Sequence, residues 1–165
     1  MKNIILFGSK EIFAIQIETG SKPDKNKLCY WVAGRKVGNF TRGGDIKTIR
    51  ASYQKFKKQN EEFYLPELEP FRLEQLREFF AEGLFELVAS ASAESIEEYQ
   101  RRRKIILDWG IQVDGFNVIL LSKPNDVLFF YTPPNQGSKL EIVPNDIIRS
   151  VFDEFLRFCD DNKLV

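Results

Sequence analysis

A row of carboxylates between residues 61 and 86 is the feature of the sequence best suited to chemistry. Glu74, Glu78, Glu82 and Glu86 recur at every fourth position, and further carboxylates stand in the connection before them. Such a row could hold a hard cation, provide an acid/base pair or dock a basic partner. No metal-binding loop accompanies it, so we favour a solvated or docking surface. The candidate partner-binding residues are Glu61, Glu62, Glu67, Glu69, Glu74, Glu78, Glu82, Asp160 and Asp161.

The run Arg101-Arg102-Arg103-Lys104 is the only concentrated basic feature of the chain. It could contact phosphates or an acidic protein surface. Glu97 and Glu98 stand four residues before Arg101 and Arg102, which is the favourable orientation for ion pairs along a helix. We therefore interpret the run as a solvated helix face. A nucleic-acid or phosphate-ligand binding module is kept as an alternative function.

The sequence provides little of what an enzyme needs. It has no histidine, the side chain best suited to acid-base work near neutrality. Arg42-Gly43-Gly44-Asp45 lacks the further glycine and the Lys-Ser/Thr pair of a phosphate-binding loop, so it is interpreted as a turn with Asp45 as a helix N-cap. No nucleophile elbow or kinase loop is recognisable. We expect no catalytic activity, no cofactor and no metal.

Aromatic residues in the strand-like segments could form a stacking platform for RNA. They are Tyr30, Trp31, Phe40, Phe129, Phe130 and Tyr131. No Gly-aromatic run of the RNA-recognition type accompanies them, so packing in a sheet core is the preferred interpretation.

Composition limits the class of protein. The chain has 165 residues, 43% of them hydrophobic, which suffices for one domain over residues 1–165 with a full core. Lysine plus arginine equal aspartate plus glutamate at 24 each, so no overall basic field favours nucleic acid. Cys29 and Cys159 are isolated, as expected of core residues in a reducing compartment. No signal peptide or membrane span is recognisable, and we expect a cytoplasmic protein with no membrane partner.

Hydrophobic periodicity predicts strands at both ends of the chain. Large apolar side chains occupy every second position from Phe13 to Ile17, which predicts a strand with one buried face. Residues 28–33 and 36–40 are the arms of a predicted hairpin with Gly34 in its turn. Three more strands are predicted at residues 116–121, 127–131 and 140–143.

Helices are predicted between and after these strands. They run from Asp45 to about Gln59, from Arg72 to Leu87, from Ser92 or Ser95 toward Leu107, and onward from Pro144. This order of elements is typical of an α+β domain, in which antiparallel N-terminal and C-terminal hairpins pack with about four helices.

The N-terminal third carries a more specific pattern. Phe7-Gly8 is followed by Phe13-Ala14-Ile15 and Glu18, and then by residues 29–40, CYWVAGRKVGNF. This pattern resembles the bacterial polymorphic-toxin immunity proteins of the family catalogued as immunity protein forty-two. Members of that family open with a Phe-Gly turn, a Phe-Ala-Ile-x-x-Glu-like strand and a Trp-x-x-Gly-x-x-x-Gly hairpin. Ser9 stands where that pattern leads us to expect an acidic residue.

The resemblance implies a non-enzymatic cytoplasmic protein that binds and neutralises one toxin, as in contact-dependent inhibition. Its partner would be the C-terminal domain of the cognate toxin. Trp31, Gly34 and Gly38 would then be structural residues. The acidic patch between Glu61 and Glu86, with Asp160 and Asp161, would cover a basic surface of the toxin, such as the substrate groove of a nuclease. A non-catalytic subunit of a bacterial assembly is the remaining alternative.

Overall fold

Among the residues that the structure describes, the strands form two separate antiparallel sheets, one of four strands and one of three. The computed structural model describes residues 3–20, 26–41, 43–62, 68, 70, 72–82, 87, 89–90 and 92–164, without the side chains of residues 59–62 and 81–82. Four α-helices complete the fold within these residues. The α+β class predicted from the order of elements is confirmed.

The four-stranded sheet follows chain order. It contains β1 (Ile4–Ser9), β2 (Phe13–Glu18), β3 (Lys27–Val32) and β4 (Arg35–Val37). All neighbouring strands are antiparallel. The predicted strand is confirmed, and Phe13, Ile15 and Ile17 are fully buried in the main core. Of the residues expected on the other face, Gln16 and Glu18 are partly exposed, but Ala14 is fully buried as well.

A two-residue turn at Ala33 and Gly34 joins β3 to β4. Both residues have positive φ, 48° and 77°, which is the combination that a type I′ hairpin turn requires. The predicted role of Gly34 is confirmed. The sequence pattern did not predict that Ala33 also adopts positive φ. A Cβ placed on Gly34 would have no heavy atom within 4 Å.

Gly8 lies where β1 packs closely against β2 and the C-terminal helix. Its φ is 85°, and a Cβ placed on it would lie closer than 3 Å to the Phe13 carbonyl oxygen and to Cγ2 of Val151 in the C-terminal helix. A side chain at this position would therefore displace either the partner strand or the helix.

The helix α1 (Ile46–Glu62) begins where the sequence predicted and extends past the predicted end. Asp45 caps it, because Asp45 Oδ1 accepts the Thr48 N–H over 3.0 Å and Oδ2 accepts the Thr48 hydroxyl over 2.5 Å. The core-facing residues of α1 are Ile46, Ile49, Tyr53 and Phe56, which are all buried.

The helix predicted over residues 72–87 is less regular than its pattern indicated. α2 (Leu73–Arg77) continues as a π-helical turn over Glu78–Glu82. The rings of Phe79 and Phe80 lie 4.9 Å apart, edge to face, and Phe80 packs in a second apolar cluster. Successive residues diverge less in direction in a π-turn than in an α-helix, so both adjacent rings are at least partly covered.

The helix α3 (Ala93–Lys104) begins at Ser92. The Ser92 hydroxyl oxygen accepts the Ser95 N–H over 3.1 Å, so Ser92 rather than Ser95 is the cap. No residue of α3 is buried, and Ile96 is 49% exposed. The helix therefore depends on individual side-chain contacts for its position.

The three-stranded sheet is covered on both faces. It contains β5 (Ile119–Ser122), β6 (Asp126–Tyr131) and β7 (Lys139–Pro144), with β6 in the centre. One face contributes Leu120, Val127, Phe129, Tyr131 and Val143 to the main core. The other face packs Ile119, Leu121, Leu128 and Phe130 against α2, its π-turn and Ile105. Burial on both faces explains the nearly continuous apolar sequence of β6.

The helix α4 (Asn145–Asp161) contacts strands of both sheets. Its buried residues are Ile148, Val151, Phe152, Phe155, Leu156 and Cys159, the face that helical spacing predicted, with Ile147 partly buried beside them. None of the helices in the described part of the chain is long and apolar enough to cross a membrane.

Gly8→Ala is expected to lower the free energy of unfolding by about 3 kcal/mol or more, because the added Cβ meets both backbone and Val151 at a positive φ. Gly34→Ala is the matched control. It should cost about 1 kcal/mol, since the φ penalty applies there without a clash. Urea denaturation measures both values, and equal losses would contradict the steric role of Gly8.

Asp45→Ala is expected to cost about 1 kcal/mol at neutral pH, because it removes the cap of α1. The hydrogen bonds from Thr48 lower the pKa of Asp45 in the folded protein. A carboxyl with a lowered folded pKa stabilises fully above its unfolded pKa, and this contribution is lost as the pH falls through the folded pKa. The stability difference between the wild type and Asp45→Ala should therefore shrink below about pH 4.

Asp45→Asn is the control for this experiment. It keeps an oxygen acceptor for the Thr48 N–H but cannot ionise, so its stability should lack the acid-dependent component. Denaturation at several pH values tests both variants. A difference between wild type and Asp45→Ala that does not change with pH would show that the ionised cap has no special role.

Candidate functional site

The structure describes only part of the acidic set predicted from the sequence. Glu67 and Glu69 lie outside the described residues, as do the side chains of Glu61, Glu62 and Glu82. Glu74 lies on α2 and Glu78 opens the π-turn, and both are exposed. Asp160 and Asp161 are exposed at the end of α4.

Glu74 and Glu78 form an exposed carboxylate pair one helical turn apart. Gln75 Oε1 accepts the Arg72 N–H over 2.8 Å and closes the first turn of α2, while Leu76 is fully buried on the opposite side. Neither carboxylate of the pair contacts a cation among the described residues. Like charges at this spacing destabilise a helix modestly, so the pair is suited to a cationic partner.

Asp160 is engaged inside the molecule. It forms a bidentate ion pair with Arg50 of α1, with Nη2–Oδ1 at 2.5 Å and Nη1–Oδ2 at 3.3 Å. Lys57 and Asp153 form a second contact between α1 and α4 at 3.3 Å. Asp160 therefore connects two helices, a role that sequence spacing could not indicate because Arg50 is 110 residues away.

The basic run of α3 is divided between two roles. Glu98 binds Arg101 and Arg102, each at 2.7 Å, and these hydrogen bonds, chiefly that from Arg101, lower the pKa of Glu98 to about 2. Arg102 also donates to the Phe79 carbonyl over 3.0 Å, and its guanidinium lies 3.7 Å from the Phe79 ring centroid. Of the two ion pairs expected at i,i+4, the one between Glu98 and Arg102 is present, whereas Arg101 pairs with Glu98 at i,i+3 in place of Glu97. Arg102 anchors α3 to the π-turn.

The preferred interpretation of the strand aromatics is confirmed for four of them. Tyr30, Phe129, Phe130 and Tyr131 are each at most 3% exposed. The Tyr30 hydroxyl donates to the Trp109 carbonyl over 3.1 Å. Trp31 is partly exposed on the outer face of the first sheet, where its Nε1 donates to Gln16 over 2.9 Å and Lys10 lies 4.1 Å from the ring centroid. These contacts position Trp31 as a cover for the sheet.

The two cysteines behave as core residues. Both are buried and unpaired, and burial raises the pKa of Cys29 to about 11 and that of Cys159 to about 12. The neutral thiols are poor nucleophiles at pH 7. Within the described residues, no group of three Cys, Asp or Glu side chains could hold a metal ion.

A groove of about 1450 Å³ lies beside α1, and we call it the α1 groove. From α1 it is lined by Thr48, Ala51, Ser52, Lys55 and Lys58, each of which lies three or four residues from another member of the set, as on one helix face. The other charged residues of its lining are Arg77, Arg103, Lys104, Asp108 and Asp114. Among the described residues, five cations and two carboxylates therefore line one concavity. Only Arg103 and Lys104 among them belong to the basic run that is recognisable in the sequence.

The segment after α3 forms a wall of the α1 groove and is attached to both α1 and the first sheet. The Ser52 hydroxyl donates to the Asp108 carbonyl. Gln112 is fully buried, its side-chain Nε2 donates to the Trp109 carbonyl over 2.5 Å, and its backbone carbonyl accepts the Asn39 N–H over 2.6 Å. These bonds hold the wall in place.

Comparisons of the chain with protein-family models, with curated proteins and with solved structures found no match. The fold and the charged surfaces therefore carry the functional argument. They define an α+β domain with an exposed carboxylate pair on α2 and its π-turn and a cation-rich groove beside α1.

Arg102→Ala is expected to lower the free energy of unfolding by about 1–2 kcal/mol, because it removes an ion pair, a hydrogen bond and a cation–π contact together. Arg101→Ala alters a more exposed ion pair and should cost less than about 0.5 kcal/mol. Hydrogen exchange of the α3 amides measures the local effect. Equal exchange in the two variants would contradict the anchoring role of Arg102.

The same anchor should respond to acid. Because the pKa of Glu98 is lowered in the folded protein, the stability that Glu98 contributes to α3 is complete above about pH 4.5 and is lost as the pH falls toward 2. Glu98→Gln should remove this part of the pH dependence of α3 exchange.

Proposed function

We propose that the protein is a cytoplasmic, non-catalytic immunity protein that binds and neutralises a cognate bacterial toxin domain by direct contact. The observation that carries the proposal is the exposed pair of Glu74 and Glu78, two like charges with no cationic partner among the described residues. A pair of this kind is stabilised when a basic protein surface binds it.

The N-terminal pattern supports the proposal in a second way. Its residues have structural roles in this chain: Gly8 allows close packing, Gly34 forms the hairpin turn and Trp31 covers the outer face of the sheet. The resemblance to immunity proteins therefore rests on scaffold residues. Partner recognition is left to charged surfaces elsewhere, as suits proteins that share a scaffold and each bind a different toxin.

Charge complementarity explains how such binding would neutralise a toxin. A toxin that cleaves nucleic acid needs a cationic substrate groove to hold phosphates. A carboxylate surface that docks on this groove excludes the substrate, and opposite charge accelerates capture.

Co-expression with the toxin domain encoded beside its gene tests the proposal, with cell survival and co-purification as readouts. The wild type should rescue growth and form a stable complex. Glu74→Lys combined with Glu78→Lys should weaken toxin affinity on the order of tenfold or more. Glu154→Lys, an exposed position on α4, is the matched control and should leave affinity unchanged.

Two results would count against the proposal at different levels. Failure of the wild type to rescue or to bind the toxin domain would reject the immunity function. Rescue by a folded Glu74→Lys, Glu78→Lys variant with unchanged affinity would reject the carboxylate pair as the docking surface.

A further inference from the structure

We propose that the α1 groove binds an extended acidic segment of a partner protein. The inference goes beyond the proposed immunity function and does not depend on it, because the groove uses other side chains than Glu74 and Glu78. It rests on the charges that line the groove, on the size of the groove and on the burial of the aromatic rings in its lining.

The charges of α1 are divided between the fold and the groove. Arg50 and Lys57 face α4, where they pair with Asp160 and Asp153. Lys55 and Lys58 lie on the groove-lining face, and neither contacts a carboxylate among the described residues. The two lysines are therefore available to an external anion.

Two other helices add cations to the same concavity. Arg77 comes from α2, while Arg103 and Lys104 come from the last turn of α3. Arg103 Nη1 donates to the Ile106 carbonyl over 3.2 Å, which holds this guanidinium near the groove wall. A concave surface with this excess of one sign focuses its potential and attracts an anionic ligand.

The size of the groove favours a polymer over a small molecule. Pockets for small ligands occupy roughly 300–1,000 Å³, and the α1 groove is larger at about 1450 Å³. The space beside Gly137 is open, because a Cβ placed on this residue would have no heavy atom within 4 Å. A ligand backbone can therefore approach this wall of the groove. An extended chain fits such a groove.

The lining favours a polypeptide over single-stranded nucleic acid. Non-specific nucleic-acid grooves present aromatic rings on which bases stack. Phe80, Trp109 and Phe130 line this groove but are only 5%, 2% and 3% exposed. Asp108 and Asp114 would also repel a continuous phosphodiester chain, whereas a peptide can place uncharged or basic residues against them.

Fluorescence anisotropy with a labelled peptide of alternating Glu and Val residues tests the proposal. The peptide should bind saturably and more weakly as ionic strength rises, and its counterpart with Lys in place of Glu should not bind. Lys55→Glu combined with Lys58→Glu should reduce affinity by about tenfold or more. Lys36→Glu makes the same kind of charge change at the exposed β3–β4 hairpin and should change affinity less than about twofold.

A second variant guards against misfolding as the cause of lost binding. Lys55→Arg combined with Lys58→Arg keeps both charges and should retain peptide affinity. Absence of peptide binding to the wild type, or binding that the double Glu variant leaves unchanged, would overturn the proposal. Displacement of the peptide by oligothymidine, with tighter binding of the oligonucleotide, would reassign the groove to nucleic acid.

Discussion

The ring of Phe152 in α4 joins elements that are distant in the chain, and the rest of the fold depends on it. It stacks on Tyr53 at 4.6 Å and lies 5.5 Å from Trp109, 5.7 Å from Phe13 and 6.2 Å from Tyr30. These rings come from α1, the segment after α3 and two strands of the first sheet. Aromatic pairs bury large areas and add directional contacts, so this cluster determines how α1 and the groove wall meet.

The helix α1 shows how one element can serve three purposes. One side is apolar and packs in the core, a second pairs its cations with α4, and a third presents Lys55 and Lys58 to the α1 groove. Ion pairs at an exposed surface contribute little stability. The charges that matter for a partner are those that the fold leaves unpaired, and only the arrangement of neighbouring helices distinguishes the two kinds.

Local patterns predicted most elements because local forces form them. The alternation of β2, the cap at Asp45 and the apolar stripe of α4 each depend on residues a few positions apart. The π-turn at Glu78–Glu82 was not predicted, since it arises where two adjacent phenylalanines meet different surroundings. Arg101 and Arg102 both pair with Glu98, although the spacing predicted Glu97 as the partner of Arg101. Side-chain geometry on the formed helix decides this pairing.

The sequence by itself determined the α+β class, the strand and helix positions near both ends and the burial of four of the six strand aromatics, because periodicity and caps act within a few residues. Tertiary structure decided which charges pair across helices and which lie in the α1 groove. It paired Asp160 with Arg50 and gathered cations from three helices into the α1 groove. The physical reason is that the field at a surface depends on distances between side chains, and packing sets those distances between residues far apart in the chain.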